Sequence, residues 1–317
     1  MKHYLNISDI DHLPTWVDEA IQLKKDPRAQ QHLGQGKTLG LFFFNNSLRT
    51  RLSTQKAAKN LGMEVMVMNF GTDGWQLEYE DGAVMDQGCA EHIKEAAQVV
   101  SQYCDIMAVR SFAQLQDRDA DTAEKVLNGF KKYASIPIVN MESATAHPLQ
   151  ALADAITLEE HRKAKKPKVV LSWAPHPRAL PHAVANSFVE MMKAQTEMDF
   201  VITHPEGYAL NPNLTADCVI ETDQEKALTD ADFVYVKNWS SYESYGQVLN
   251  NHDHWTITPE KLGKAQFMHC LPIRRNVVAT DAVLDGDQSL VIAQANNRTF
   301  AAQLVLQKLL EHQSKIK

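Results

Sequence analysis

The sequence is poor in the features that announce several common protein classes. Its four cysteines, Cys89, Cys104, Cys218 and Cys270, are scattered with no CxxC spacing, which speaks against a metal cluster or a disulfide framework and leaves any special cysteine to act alone. No apolar run approaches the roughly 18 residues of a membrane span. The opening MKHYLNISDIDHLPTW lacks the continuous apolar core of a signal peptide, so a cytoplasmic location away from any membrane is expected. Lys and Arg together number 32 against 39 Asp and Glu, with no basic block or aromatic-interleaved basic stripe, and nucleic acid is not an expected partner. GxxxxGKS/T and GxGxxG are both absent, which argues against a nucleoside triphosphate or a dinucleotide as ligand and weakens a Rossmann oxidoreductase reading.

What is present is an alternation of short blocks rich in Val, Ile and Phe with longer stretches of helical spacing, the pattern of βα units around parallel sheets. At 317 residues the chain is long for one core and suits two lobes of roughly 150 residues each. The expected fold is therefore α/β, with two parallel-sheet Rossmann-like lobes joined by interdomain helices. Strands are expected at Thr38–Phe44, Glu64–Asn69, Asp105–Val109 and Ile136–Val139 in the first lobe, and at Lys168–Trp173, Asp199–Thr203, Asp232–Lys237, Gln266–His269 and Ser289–Ile292 in the second. Thr54, Ala57, Ala58 and Leu61 form a helical face between the first two strands. A long helix after Glu142 links the lobes, and another begins near Ala295. The expected domains are 1–146, 147–294 and a terminal helix over 295–317.

In open parallel sheets ligands lie beyond the carboxyl ends of strands, and here those ends deliver cationic and hydrogen-bonding groups. After the first strand comes Ser47-Leu48-Arg49-Thr50-Arg51 at the start of a helix. Free N–H groups, the helix dipole, hydroxyls and guanidinium forks together make a phosphate cradle; an ordinary Ser N-cap with surface arginines is the plainer alternative. His147-Pro148-Leu149-Gln150 follows Glu142, with Pro at the first helical turn fixing where His147 and Gln150 point. An imidazole there can stabilise an oxyanion, or simply cap the helix. His269-Cys270-Leu271-Pro272 precedes Arg274 and Arg275. No Cys-His-Asn signature surrounds it, which favours a positioning role for the thiol and its backbone, or a structural cysteine.

SLRTR at 47–51, HPLQ at 147–150 and HCLP at 269–272, in that order, closely resemble the aspartate/ornithine carbamoyltransferase family over essentially the whole chain. The resemblance implies a first lobe that binds carbamoyl phosphate, a second that binds the amino acid, and a final helix returning to the first. It implies that Ser47, Leu48, Arg49 and Thr50 hold the phosphate with Arg110. His147, Thr50 and Arg110 would polarise the carbamoyl oxygen, Gln150 would contact the carbamoyl nitrogen, and Cys270, Leu271 and Arg298 would complete the pocket. Trp75 matches a residue that reaches the phosphate across a subunit boundary in relatives, implying a homotrimer with shared active sites. Catalysis would rest on Arg49, Thr50, Arg110, His147 and Cys270, with no metal and no cofactor.

Two departures bear on the acceptor amine. Relatives acting on free ornithine carry an aspartate and a Ser-Met-Gly loop in the second lobe, whereas this chain reads VYVKNWSSYESYG; relatives acting on aspartate carry a His-Pro-Leu-Pro-Arg stretch that is missing. The text around 75–86, Glu142 before HPLQ, the His176-Pro177 pair and Lys237-Asn238-Trp239 look like the branch using acylated ornithines. There Glu142, His176 and Lys237 would bind the acceptor, with Arg178 added as a second carboxylate contact. At the position of Ala90, acetyl-preferring relatives carry glutamate and succinyl-preferring ones proline. Alanine leaves room and no negative charge, so N-succinyl-L-ornithine is the expected acceptor. An N-acetylornithine enzyme is the nearest alternative, and a non-catalytic small-molecule-binding regulator the alternative of another class.

Overall fold

The computed structural model describes residues 1–249 and 253–316. The chain divides into two compact units, one of Met1–Gln114, Asp119–Leu149 and Arg298–Lys317, the other of Leu115–Arg118 and Gln150–Asn297. Both are built on parallel sheets, giving the α/β architecture expected from the strand pattern.

The first unit holds β1 (Thr38–Phe43), β2 (Glu64–Asn69), β3 (Leu77–Glu78), β4 (Glu91–His92), β5 (Ile106–Arg110) and β6 (Ile138–Glu142). Its main sheet runs β2-β1-β5-β6, all parallel; β3 and β4 form a separate parallel pair. Every residue of β5 and β6 is buried, as expected for strands covered on both faces. The unit's helices include α1 (Leu13–Leu23), α2 (Arg49–Asn60), α3 (Ile93–Tyr103) and α4 (Lys125–Tyr133). Phe42, Met107, Val109 and Ile138 of the strands join Ile93, Ala97, Leu127 and Phe130 of the helices in one core. The face predicted for α2 is buried through Thr54, Ala57, Ala58 and Leu61.

The second unit holds β7 (Lys168–Trp173), β8 (Asp199–Thr203), β9 (Val219–Glu221), β10 (Phe233–Lys237) and β11 (Gln266–Met268), in the order β11-β10-β7-β8-β9. All four pairings are parallel. Val170, Val234, Val236 and Phe267 pack with Leu228, Ile257 and Val278. Helix α5 (Pro148–His161) carries the chain across the division at 149/150, and α6 (Ala183–Lys193) lies wholly in the second unit. Helix α7 (Val291–Ile316) crosses the division at 297/298. Among the described residues no helix is long and apolar enough to cross a membrane.

One predicted strand is absent. Ser289 makes only an isolated bridge to Phe267, and Val291 and Ile292 already belong to α7. A four-residue apolar run does not distinguish a buried strand from the first turn of a helix; here Gln294 N–H closes on the Leu290 carbonyl at 2.8 Å and the helical ladder wins. Conversely β9 escaped the reading because it is three residues long, with Val219 and Ile220 exposed.

Candidate active site

Each main sheet has one place where successive strands leave in opposite directions. In the first unit it lies between β1 and β5, where Phe43 stands opposite Arg110. In the second it lies between β7 and β10, where Trp173 stands opposite Lys237. Such switch points open a crevice beyond the strand ends, and most of the predicted site residues stand at these two places.

Beyond β1 the chain passes through Asn45 and Asn46 into α2, whose first residue is Arg49 and whose N-cap is Leu48. The first turn has no acidic residue, so the positive end of the helix dipole is left for an external anion. Arg51 is turned to structure, stacking 4.4 Å from the Phe43 ring and donating to Asn69. Arg110, at the end of β5, donates to Glu142 through Nε at 3.3 Å and Nη2 at 3.1 Å, and through Nη1 to the carbonyls of Asn45 and Asn46. The same guanidinium thus anchors the turn that leads into α2. Burial lowers its pKa while Glu142 opposes the shift, and a guanidinium keeps its charge under either influence.

Glu142 also lies 3.4 Å from His147 Nε2, and all three groups are buried. Arg298, from α7, donates to Thr50 Oγ1 at 2.7 Å and approaches His147 Nε2 at 3.3 Å. Thr50, Arg110, Glu142, His147 and Arg298 therefore form one buried polar cluster, with the Ser47–Arg49 turn against it. Trp75 and Ala90 stand apart from that cluster. They lie in the exposed segment between β2 and β4, Trp75 donating to Glu91 at 2.8 Å and Ala90 N–H meeting the Gln76 carbonyl.

In the second unit His176 follows β7. Its Nε2 accepts from Arg274 Nε at 3.1 Å, and its Nδ1 lies 2.8 Å from the Arg178 carbonyl oxygen and 3.1 Å from the Arg178 backbone nitrogen. Burial lowers the His176 pKa, and the charges of Arg274, Lys237 and Arg178 lower it further. Lys237 is buried at the end of β10, with Nζ on the Asn238 carbonyl at 3.0 Å, and Asn238 donates to the Ala174 carbonyl at 2.7 Å. Arg178 and Arg274 have no carboxylate within ion-pair distance among the described residues. Arg178, Lys237 and Arg274 are thus gathered with the His176 ring beyond β7 and β10.

Gln150 and Cys270 belong to another part of this unit. His269 N–H donates to Gln294 Oε1 at 2.9 Å, and Leu271 N–H to His269 Nδ1 at 2.8 Å. Leu271 itself has a left-handed backbone, φ 56°, costly for a branched side chain and kept where surroundings impose it. Cys270 is buried beside Tyr235, whose hydroxyl pKa is pushed well above the usual tyrosine range by burial and then by Asp154 and Cys270.

Sequence reasoning assigned no role to Arg274 or Asp154. For Arg274 the signal was the Arg-Arg pair after HCLP, but spacing does not say which arginine meets His176. Arg275 is engaged by Asp281 and Asp285 at 2.9 and 2.7 Å, leaving Arg274 to His176.

The profile for "aspartate/ornithine carbamoyltransferase, carbamoyl-P binding domain" matches residues 2–160, and that for the "Asp/Orn binding domain" residues 181–309. The N-succinylornithine carbamoyltransferase of Bacteroides thetaiotaomicron is 50% identical over 316 residues, 98% of this chain and 99% of its own. The N-acetylornithine carbamoyltransferase of Xanthomonas axonopodis pv. citri is 34% identical over 335 residues, 98% and 96% of the two chains. Among solved structures, an N-acetyl-L-ornithine transcarbamylase variant with glutamate replaced by alanine, complexed with carbamyl phosphate and N-succinyl-L-norvaline, superposes with a TM-score of 0.91 at 33% identity, covering 98% of this chain and 100% of its own. The three motifs, the switch-point geometry and this full-length similarity agree: the chain belongs to the aspartate/ornithine carbamoyltransferase family, in its N-acylornithine branch.

Proposed function

We propose that the protein transfers the carbamoyl group of carbamoyl phosphate to the δ-amine of N-succinyl-L-ornithine, giving N-succinyl-L-citrulline and phosphate, as a cytoplasmic step of arginine biosynthesis. The observation that carries the acceptor assignment is the gathering of His176, Arg178, Lys237 and Arg274 with no carboxylate paired to the two arginines. Free ornithine would bring its own ammonium into that field, whereas a succinylated ornithine brings two carboxylates and no α-ammonium. Lys237 takes the α-carboxylate, and Arg178 and Arg274 the succinyl carboxylate, with Glu142 and His176 orienting the chain between. Ala90 fits the same reading, because a glutamate there would repel the succinyl group. The half-identical relative bears the matching name.

Ser47, Leu48, Arg49, Thr50 and Arg110 hold the phosphate, with Trp75 supplied by a neighbouring subunit of a homotrimer. The neutral amine forms a bond to the carbamoyl carbon and the C=O electron pair moves onto oxygen, where Thr50, Arg110 and His147 stabilise it. The C–O bond to phosphate then breaks and Arg49 and Arg298 absorb the growing charge, while the amine's proton passes to the departing phosphate. Free amines of this type have pKa near about 10, so the site selects the neutral form. Gln150, Cys270 and Leu271 bind the carbamoyl group itself.

The test is to incubate purified protein with carbamoyl phosphate and free, acetylated or succinylated ornithine, and to quantify ureido product by mass spectrometry. A kcat/KM at least about ten-fold higher for the succinyl acceptor than for the acetyl one is expected, in line with one charge-paired contact, with no product from free ornithine. Equal or reversed acyl preference would overturn the succinyl assignment; no product from any acceptor would overturn carbamoyl transfer.

A further inference from the structure

Asp154 is fully buried on α5, one helical turn beyond Gln150. Its Oδ1 accepts from Gln150 Nε2 at 2.7 Å and from Gln294 Nε2 at 2.6 Å. A carboxylate can only accept, whereas a side-chain amide has one accepting and one donating end. Each glutamine must therefore turn its NH2 to Asp154 and its oxygen away. An independent contact agrees for Gln294, whose oxygen meets the His269 N–H at 2.9 Å. For Gln150 the outward oxygen is buried and has no hydrogen-bond partner among the described residues. A buried acceptor in that state calls for a donor.

We infer that Asp154 is a positioning residue that makes Gln150 an obligate acceptor, so that the site selects a donor bearing NH2 over acyl phosphates that bear methyl or oxygen in its place. Through Gln294 the same carboxylate holds the amide at the head of the His269–Pro272 turn, fixing a second contact to the same group. The inference rests on carbamoyl phosphate being the substrate. Its content beyond that reading is the choice among isosteric donors: acetyl phosphate has no N–H for Gln150 Oε1, and a carboxylated analogue presents a second acceptor against it.

The experiment compares wild type, Asp154→Leu and Asp154→Asn by calorimetric binding of phosphonoacetamide, which carries the NH2, and of inorganic phosphate, which does not. Folding is checked by thermal unfolding. Asp154→Leu should weaken phosphonoacetamide by about a hundred-fold and Asp154→Asn by about ten-fold, as expected for a freed or flippable amide. Phosphate affinity should stay within about two-fold in both, since no contact to it is removed. Carbamoyl-transfer kcat should fall in the same order, with partial rescue in the Asn variant. If Asp154→Leu fails to fold, Asp154→Asn alone decides. Parallel loss of both ligands would mean a merely structural role, and no change in either would remove Asp154 from the mechanism. Both overturn the inference while leaving carbamoyl transfer intact, whereas wild-type protein that does not prefer phosphonoacetamide to phosphate would overturn the substrate reading itself.

Discussion

The switch points of the two units differ in how their charges are balanced. In the first unit Arg110 is held by Glu142, which also faces His147, and Arg298 is engaged by Thr50. Arg110 and Arg298 are fixed by groups of their own unit. In the second unit His176 accepts from Arg274, Lys237 leans on a backbone carbonyl, and Arg178 and Arg274 have no carboxylate at ion-pair distance among the described residues. Rigid, already-positioned donors are what a transition-state charge requires, because reorganising them during the reaction would cost barrier height. Two arginines with no carboxylate at ion-pair distance suit a stable anion, because the ligand completes their pairing. The switch point of the first unit is thus suited to chemistry and that of the second to recognition.

If that division holds, damage at the two switch points will show in different constants. The largest effect is expected from Arg49→Ala, a loss of about 10³-fold or more in kcat, comparable with removing an oxyanion donor, with little change in unfolding temperature. Near-normal turnover would remove the phosphate cradle at the start of α2. Next comes Arg274→Ala, for which steady-state kinetics should show KM for N-succinylornithine rising about a hundred-fold with kcat little changed, as for loss of uniform binding through a charged contact. A fall confined to kcat would instead move Arg274 into the chemistry. Ala90→Glu should reverse the ratio of kcat/KM between succinylated and acetylated acceptors by about ten-fold or more; an unchanged ratio would detach position 90 from acyl choice.

The smallest effect concerns stability. His176, His182 and His204, all in the second unit, have pKa values lowered chiefly by burial. Below the ordinary value of about 6.5 the unfolded chain gains protons that the folded chain refuses. Stability is therefore complete above about pH 6.5 and lost as pH falls through the lower folded values. Scanning calorimetry should give an unfolding temperature a few degrees lower at about pH 5.5 than at pH 7.5, with a smaller drop in His182→Gln. An unchanged or higher unfolding temperature in acid would contradict the burial of these rings as neutral groups.

Much of the fold was legible because its strands are short blocks rich in Val, Ile, Met and Phe between stretches of helical spacing. Glu64–Asn69, Lys168–Trp173 and Asp199–Thr203 have the predicted bounds. Legibility failed where tertiary bonds choose between equal local options, as at Ser289–Ile292, whose apolar run served one bridge and then the first turn of α7. Within the site, motifs located residues but not their partners. Nothing in the text ties Arg298 to Thr50, 248 positions away. Asp154 reads as an ordinary polar residue of a helix, and its meaning emerges only when Gln150 and Gln294 converge on one oxygen. Arg274 and Arg275 are indistinguishable until two aspartates claim the second.

The most direct measurement is a crystal structure with a bisubstrate analogue in which a phosphonoacetyl group is joined to the δ-nitrogen of N-succinylornithine. The phosphonate should lie on the Ser47–Thr50 turn with Arg49 and Arg110, and the two carboxylates on Lys237 and on Arg178 with Arg274. A phosphonate bound away from α2, or carboxylates that leave Lys237 and Arg274 untouched, would contradict the assignment of chemistry to one switch point and recognition to the other.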